Sequence, residues 1–221
     1  MKVLITGGCG FLGQMIAKAI LARGELRGPD GNVAEVDSIQ LFDQLAPVTP
    51  FDWADSRVTT AAGDISDKDT VAALVDRDDI SVFHLASVVS AGGEKDFDLA
   101  MRVNLQGGLN ILEAARAREG TPRLVFSSSL AVFGGPDLAK EVDDMTRHTP
   151  ETTYGMTKAF GELCSDTILV CTSHAWFFAG HPDPEGVKLR LIRESLVPML
   201  LRALAASETC HRAPSCSGLS R

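Results

Sequence analysis

The sequence predicts an α/β fold, a doubly wound parallel sheet with helices on both faces, on three observations. Short β-branched runs alternate with helical stretches through the first two-thirds of the 221 residues. The first run, Lys2-Val3-Leu4-Ile5-Thr6, is nearly continuous in apolar character, as a strand covered on both faces must be. It passes directly into Gly7-Gly8-Cys9-Gly10-Phe11-Leu12-Gly13, a glycine-spaced turn ahead of a helix.

The elements follow in order. Phe11 to Arg23 carries apolar residues at helical spacing, and Gly24 stands just past its end. Gly28-Pro29-Asp30-Gly31-Asn32 is a turn-rich insertion. Ile39 to Asp43 is the second strand and Arg57 to Ala62 the third. Asp67 to Val75 is a short helix, Ile80 to Leu85 the fourth strand, and Phe97 to Arg118 a long helix with Leu99, Val103, Leu109, Ile111 and Leu112 on its apolar face. Arg123 to Ser127 is the fifth strand and Thr153 to Cys164 a helix. Strands alternating with helices imply right-handed crossovers and a parallel sheet. Residues 1–165 are therefore expected to form one domain, and residues 166–221 an atypical tail. In that tail Thr167 to Cys171 is apolar and β-branched, Val187 to Ala206 reads as helical, and the last dozen residues read as frayed.

Composition excludes several function classes. A formal net charge of -8 argues against binding a nucleic-acid backbone, which needs a basic face. No apolar stretch is long enough to cross a bilayer, and no basic segment leads into an apolar signal region. Cys9, Cys164, Cys171, Cys210 and Cys216 are odd in number and lack a CxxC pair, so free thiols in a reducing compartment, the cytoplasm, are expected. Cys171, His174, His181, Cys210, His211 and Cys216 fit no standard zinc spacing, so no metal is expected.

The glycine turn has a mechanical reading. Gly7 permits the tight exit from the strand, Gly10 admits a pyrophosphate close to the backbone, and Gly13 lets the helix approach the sheet. Amides near Phe11 and Leu12 then face an anion at the favourable end of the helix dipole. This is the fingerprint of a Rossmann-type dinucleotide site; the Walker pattern is absent. Asp43, ending the second strand, is placed to accept both adenosine ribose hydroxyls and to repel a 2′-phosphate, which favours NAD over NADP. Its separation from Gly13 exceeds the usual spacing, and the insertion at 28–32 absorbs the difference. Asp64 either reaches the adenine edge or caps the next helix.

Tyr154, the only tyrosine, precedes Lys158 by one helical turn. An ammonium beside a phenol favours the phenolate, so Tyr154 is the candidate general base for an alcohol proton. Lys158 is also placed to orient a nicotinamide ribose. Ser127-Ser128-Ser129 follows the fifth strand at the carboxyl edge of the sheet, where a hydroxyl can hold the substrate oxygen.

These motifs occur in a family order: TGGCGFLG, Gly63-Asp64, VFHLAS at 82–87, VNLQGGLNILEAAR at 103–116, VFSSSLAVFG at 125–134 and YGMTK at 154–158. From residue 1 to about 165 the chain resembles the extended short-chain dehydrogenase/reductases, also described as NAD-dependent epimerase/dehydratases. The resemblance implies that Phe11 and Leu12 meet the pyrophosphate, Asp43 the adenosine ribose, and Asp64 and Ile65 the adenine. It implies that Leu85, Ala86 and Ser87 line the cofactor cleft and that Asn104 contacts the cofactor from its helix. Ser129 would be the catalytic serine, Tyr154 the acid/base and Lys158 its partner. A narrower resemblance, carried by VFHLASVVSAGGEKDFDLAMRVNL and VFSSSLAVFGGP, implies oxidation of the C2 hydroxyl of a small sugar acid such as D-erythronate. The alternatives are a nucleotide-sugar epimerase or dehydratase, and an inactive NAD-binding fragment. Family members often pair as homodimers.

Beyond about residue 165 the resemblance stops. The Pro-Gly turn that follows the family's sixth strand beside the nicotinamide is not found, and a short, compositionally odd tail stands where roughly a hundred further residues of substrate region normally follow. The expectation is a chain truncated, or shifted in reading frame, after that point.

Overall fold

The structure is a computed structural model that describes residues 1–120, 122–136, 138, 142, 146–164 and 169–171. The tail helix over 187–206, the frayed end and the cysteine and histidine set from Cys171 to Cys216 lie outside the described residues, apart from the backbone of 169–171.

The central strand is β1 (Lys2–Thr6), and every one of its residues is buried. It pairs in parallel with β4 (Ser38–Asp43) on one side and β6 (Ile80–His84) on the other. Outward from these lie β5 (Val58–Ala62) beyond β4, and β7 (Arg123–Ser128) then β8 (Leu169–Cys171) beyond β6. All six are parallel, in the order β5-β4-β1-β6-β7-β8. Counting only these strands, that is the third-second-first-fourth-fifth-sixth order of a Rossmann sheet, so the fold class read from sequence stands. Its switch point lies between β1 and β6.

Strand periodicity divides the core. Val3, Ile5, Ile39, Leu41, Phe83 and Val125 face helix α1 (Phe11–Arg23), where Ile16, Ala17 and Ile20 close over them. Leu4, Ile80, Val82 and Leu124 face the opposite way, onto α2 (Lys68–Leu74) and α5 (Gly107–Arg116) through Val71, Leu74 and Ile111. The unbroken apolar runs of β1 and β6 are the sequence counterpart of this double cover.

Three local features depart from the sequence expectation. The turn-rich insertion is the tip of a small antiparallel hairpin, β2 (Glu25–Arg27) with β3 (Val33–Glu35), whose strands are too short to read. A six-residue helix α3 (Ser90–Lys95) follows β6, disguised by Gly92 and Gly93. The long helix from Phe97 ends at Arg116 and is not uniform. It starts as α4 (Phe97–Ala100), widens into a π-helical segment (Met101–Gln106) and continues as α5. The last described helix is α6 (Thr153–Cys164). Among the described residues no helix is long and apolar enough to cross a membrane.

Phe83 is fully buried at the centre of the sheet. Phe83→Ala should lower the unfolding free energy by about 3–5 kcal/mol in urea titration, through lost transfer energy and the cavity left behind.

Candidate active site

The carboxyl ends of the strands open onto a cleft of about 930 Å³. Its floor is the turn after β1. Gly7 takes φ of 68°, and a Cβ there would lie 3.0 Å from the Ala86 amide nitrogen, so both conformation and space require glycine. The turn is docked on the end of β4: the Gly8 N–H donates to the Phe42 carbonyl at 3.0 Å and the Cys9 N–H to Asp43 Oδ2 at 3.1 Å. Across the switch point, Thr6 Oγ1 accepts from the amides of Leu85 and Ala86 at 3.2 and 3.3 Å. Its own proton therefore goes to His84 Nδ1, 2.7 Å away. His84 is buried in the sheet, and burial first, then the charge of Lys158, pushes its pKa down to about 3. A neutral imidazole accepting from Thr6 is a fixed structural strut beneath the cleft.

At one end of the cleft stand Asp43 and Asp64. Asp43 also accepts the Gln44 N–H at 2.8 Å, which fixes its carboxylate at the lip of β4. Asp64 accepts the Ser66 N–H at 2.8 Å and the Ser66 hydroxyl at 2.7 Å. Those bonds, with Arg102 adding, hold its carboxyl below the ordinary carboxylate range. Asp64 does not cap the next helix; Asp67 does so, accepting from the amides of Asp69 and Thr70 at 2.9 and 3.1 Å.

At the other end stand Ser129, Tyr154 and Lys158. Lys158 is 2% exposed, and its ammonium donates to the Ser127 carbonyl at 2.7 Å. Desolvation pushes its pKa down to about 8. Its Nζ lies 5.6 Å from the centre of the Tyr154 ring and 4.8 Å from that of Phe126. The helix carrying this pair is pressed onto the turn that carries Ser129: at Gly155 a Cβ would collide with the Ala131 carbonyl oxygen. The Ser129 hydroxyl accepts from the Ala131 N–H at 3.2 Å and faces the cleft.

The structure thus brings Gly7, Gly10, Phe11, Leu12, Asp43, Asp64, Ile65, Leu85, Ala86, Ser87, Ser129, Tyr154 and Lys158 together around one cleft. Two expected residues do not line it. Gly13 is buried beneath the loop. Asn104 spends its amide on backbone and helix: Oδ1 accepts from the Val88 N–H at 2.7 Å, and Nδ2 donates to the Val88 carbonyl at 3.0 Å and Thr157 Oγ1 at 3.2 Å. It positions the Ser87-Val88 wall, and the π-helical segment around it turns it there. Of the three consecutive serines, Ser128 faces away, its hydroxyl bonded to Glu162, which also pairs with His148 at 2.8 Å. Sequence reasoning missed Arg102, Val88 and Leu130 on the cleft wall. Helical spacing from Leu99, whose neighbour Val103 already falls on the same face, would have found Arg102.

A family model described as the 3-beta hydroxysteroid dehydrogenase/isomerase family matches residues 4–167. A D-erythronate dehydrogenase of Cupriavidus necator is 45% identical over 163 residues, covering 74% of this chain and 49% of that protein. The chain spans about half the length of the curated relatives it matches first. Among solved structures, a nucleoside-diphosphate-sugar epimerase of Agrobacterium tumefaciens superposes with a TM-score of 0.74 at 26% identity, covering 94% of this chain and 70% of the other. A Thermus thermophilus UDP-glucose 4-epimerase in complex with NAD superposes with a TM-score of 0.59 at 30% identity, covering 74% of this chain and 49% of the other.

The buried ammonium predicts a pH signature. With Lys158 near 8 when folded and at its ordinary 10.5 when unfolded, the unfolded chain binds more protons between those values, so stability rises with pH across that window. Urea titrations of wild type and Lys158→Met should keep a constant difference below pH 8. Between pH 8 and 10.5 the difference should move in favour of the wild type.

Proposed function

We infer the function from one premise: the chain belongs to the 3-beta hydroxysteroid dehydrogenase/isomerase family. On that premise we propose an NAD-dependent oxidoreductase that oxidises the C2 hydroxyl of a small sugar acid such as D-erythronate to a ketone, with residues 1–165 as its cofactor-binding unit. One observation carries the reading: a single cleft joins the glycine turn and Asp43 to Ser129, Tyr154 and Lys158.

The residues present fit NAD. The Asp43 carboxylate retains lone pairs for two ribose hydroxyls after accepting Cys9 and Gln44, and its charge disfavours a 2′-phosphate. The turn offers a side-chain-free floor where a pyrophosphate needs close approach. When bound, the nicotinamide supplies the hydride acceptor. The chain's own groups do the rest. The Ser129 hydroxyl holds the substrate oxygen. Tyr154 takes the hydroxyl proton as general base. Lys158, anchored on the Ser127 carbonyl, favours the phenolate and fixes the helix that presents it.

The sugar-acid substrate is supported by the relationship to the Cupriavidus enzyme. A second reading, a nucleotide-sugar epimerase, is favoured by the superposition on the Agrobacterium structure over nearly the whole chain. The test is cofactor reduction at 340 nm (the absorbance of reduced nicotinamide) with NAD and a panel of four-carbon sugar acids and nucleotide sugars. Turnover of D-erythronate that falls by about 10²–10⁴-fold in Tyr154→Phe is the expected result. Epimerisation of a nucleotide sugar without net cofactor reduction would select the second reading. NAD binding with no turnover of any substrate would make the chain a cofactor-binding module instead.

A further inference from the structure

The turn that faces the adenosine end of the cleft is braced from behind by residues outside the cleft. Gln14, in the first turn of α1, donates from Nε2 to the Cys9 carbonyl at 2.8 Å. Its Oε1 accepts the indole N–H of Trp53 at 3.4 Å. That indole is a donor only, so it fixes which end of the amide faces Cys9. Trp53 is itself held: its ring stacks on Phe51 with centroids 5.2 Å apart at 16°, and Lys18 Nζ lies 5.2 Å from its centre. On the cleft side, the Cys9 N–H donates to Asp43 Oδ2 at 3.1 Å. The result is one hydrogen-bonded line, Trp53–Gln14–Cys9–Asp43, running from the loop over 44–56 through the glycine turn to the carboxylate at the cleft lip. Neither Gln14 nor Trp53 lines the cleft.

We propose that Gln14 is a positioning residue for cofactor selection: braced by Trp53, it holds the Cys9 peptide so that its N–H aims Asp43 at the adenosine ribose. The inference rests on the NAD reading above. Two peptide groups flank Cys9, and a turn rich in glycine gives them freedom to rotate. Tying the carbonyl to Gln14 and the N–H to Asp43 removes that freedom on both sides of one residue. Asp43 then meets the ribose already oriented, and the cost of ordering it falls outside the binding step. A carboxylate held in one direction also repels a 2′-phosphate more consistently than one that swings away. Gln14 would thereby tune discrimination between NAD and NADP without touching either.

Isothermal titration of the full chain with NAD, NADP and nicotinamide mononucleotide tests this. Gln14→Met keeps the side-chain volume and charge and removes both hydrogen bonds. It should weaken NAD about fivefold, the worth of one hydrogen bond, and narrow the NAD-to-NADP preference. Affinity for nicotinamide mononucleotide, which lacks the adenosine, should not change. Trp53→Phe keeps an aromatic ring beside Phe51 but removes the indole N–H together with one of the two fused rings; it should narrow the preference by a smaller factor. Unchanged NAD affinity in Gln14→Met, or equal weakening of NAD and nicotinamide mononucleotide, overturns the proposal. If Gln14→Met does not fold, an unchanged NAD-to-NADP ratio in Trp53→Phe overturns it. Wild-type protein that binds no NAD overturns the functional reading itself, and this inference with it.

Discussion

The site depends on a charge held in a place that disfavours it. Lys158 is nearly excluded from solvent, and its ammonium finds an oxygen partner in the Ser127 carbonyl at the end of β7. An ammonium so placed costs desolvation energy, which the fold recovers elsewhere and which depresses its proton affinity. The same bond ties α6 to the sheet. Around it, Thr157 donates to the Tyr154 carbonyl at 2.8 Å and receives the Asn104 amide, so α6, the π-helical segment and the wall after β6 are fastened together. The phenol, the serine turn and the cleft wall are therefore parts of one packed unit.

The other end of the cleft uses no buried charge. It relies on backbone docked against backbone: the turn after β1 continues the strand pairing past Thr6, through Gly8 onto Phe42 and through Cys9 onto the Asp43 side chain. The cysteine in that turn is quiet. Burial, followed by the neighbouring charge of Asp43, raises its thiol pKa and disfavours the thiolate. The two ends meet at the switch point between β1 and β6, where Thr6 and His84 bridge the strands beneath the cleft.

Much of this was legible in the residues, for physical reasons that also explain what was not. Strands covered on both faces announce themselves as apolar runs, and β1 and β6 were read within a residue. The glycine turn was readable because its constraint is on the backbone. The hairpin of β2 and β3 was hidden because three-residue strands carry no periodicity. The π-helical segment was hidden because its sequence is ordinary for an α-helix; it carries Asn104, whose partners are Val88 and Thr157. Strand alternation told Ser128 from its neighbours only once the register of β7 was fixed. Gln14 and Trp53 gave no signal, since their partners are a backbone carbonyl and a residue 39 positions away.

The strand order carries a cost during synthesis. β1 is made before either of its neighbours, yet it pairs on one side with β4 and on the other with β6, whose first residue is Ile80. At roughly 5–20 residues per second, the ribosome takes on the order of 4–16 s to travel from one to the other. For that interval a strand that is buried along its whole length in the finished fold has at least one edge open and nothing to close it. A nascent chain of this design is exposed to pairing with its neighbours on a polysome, and shielding by a chaperone matters most before β6 emerges.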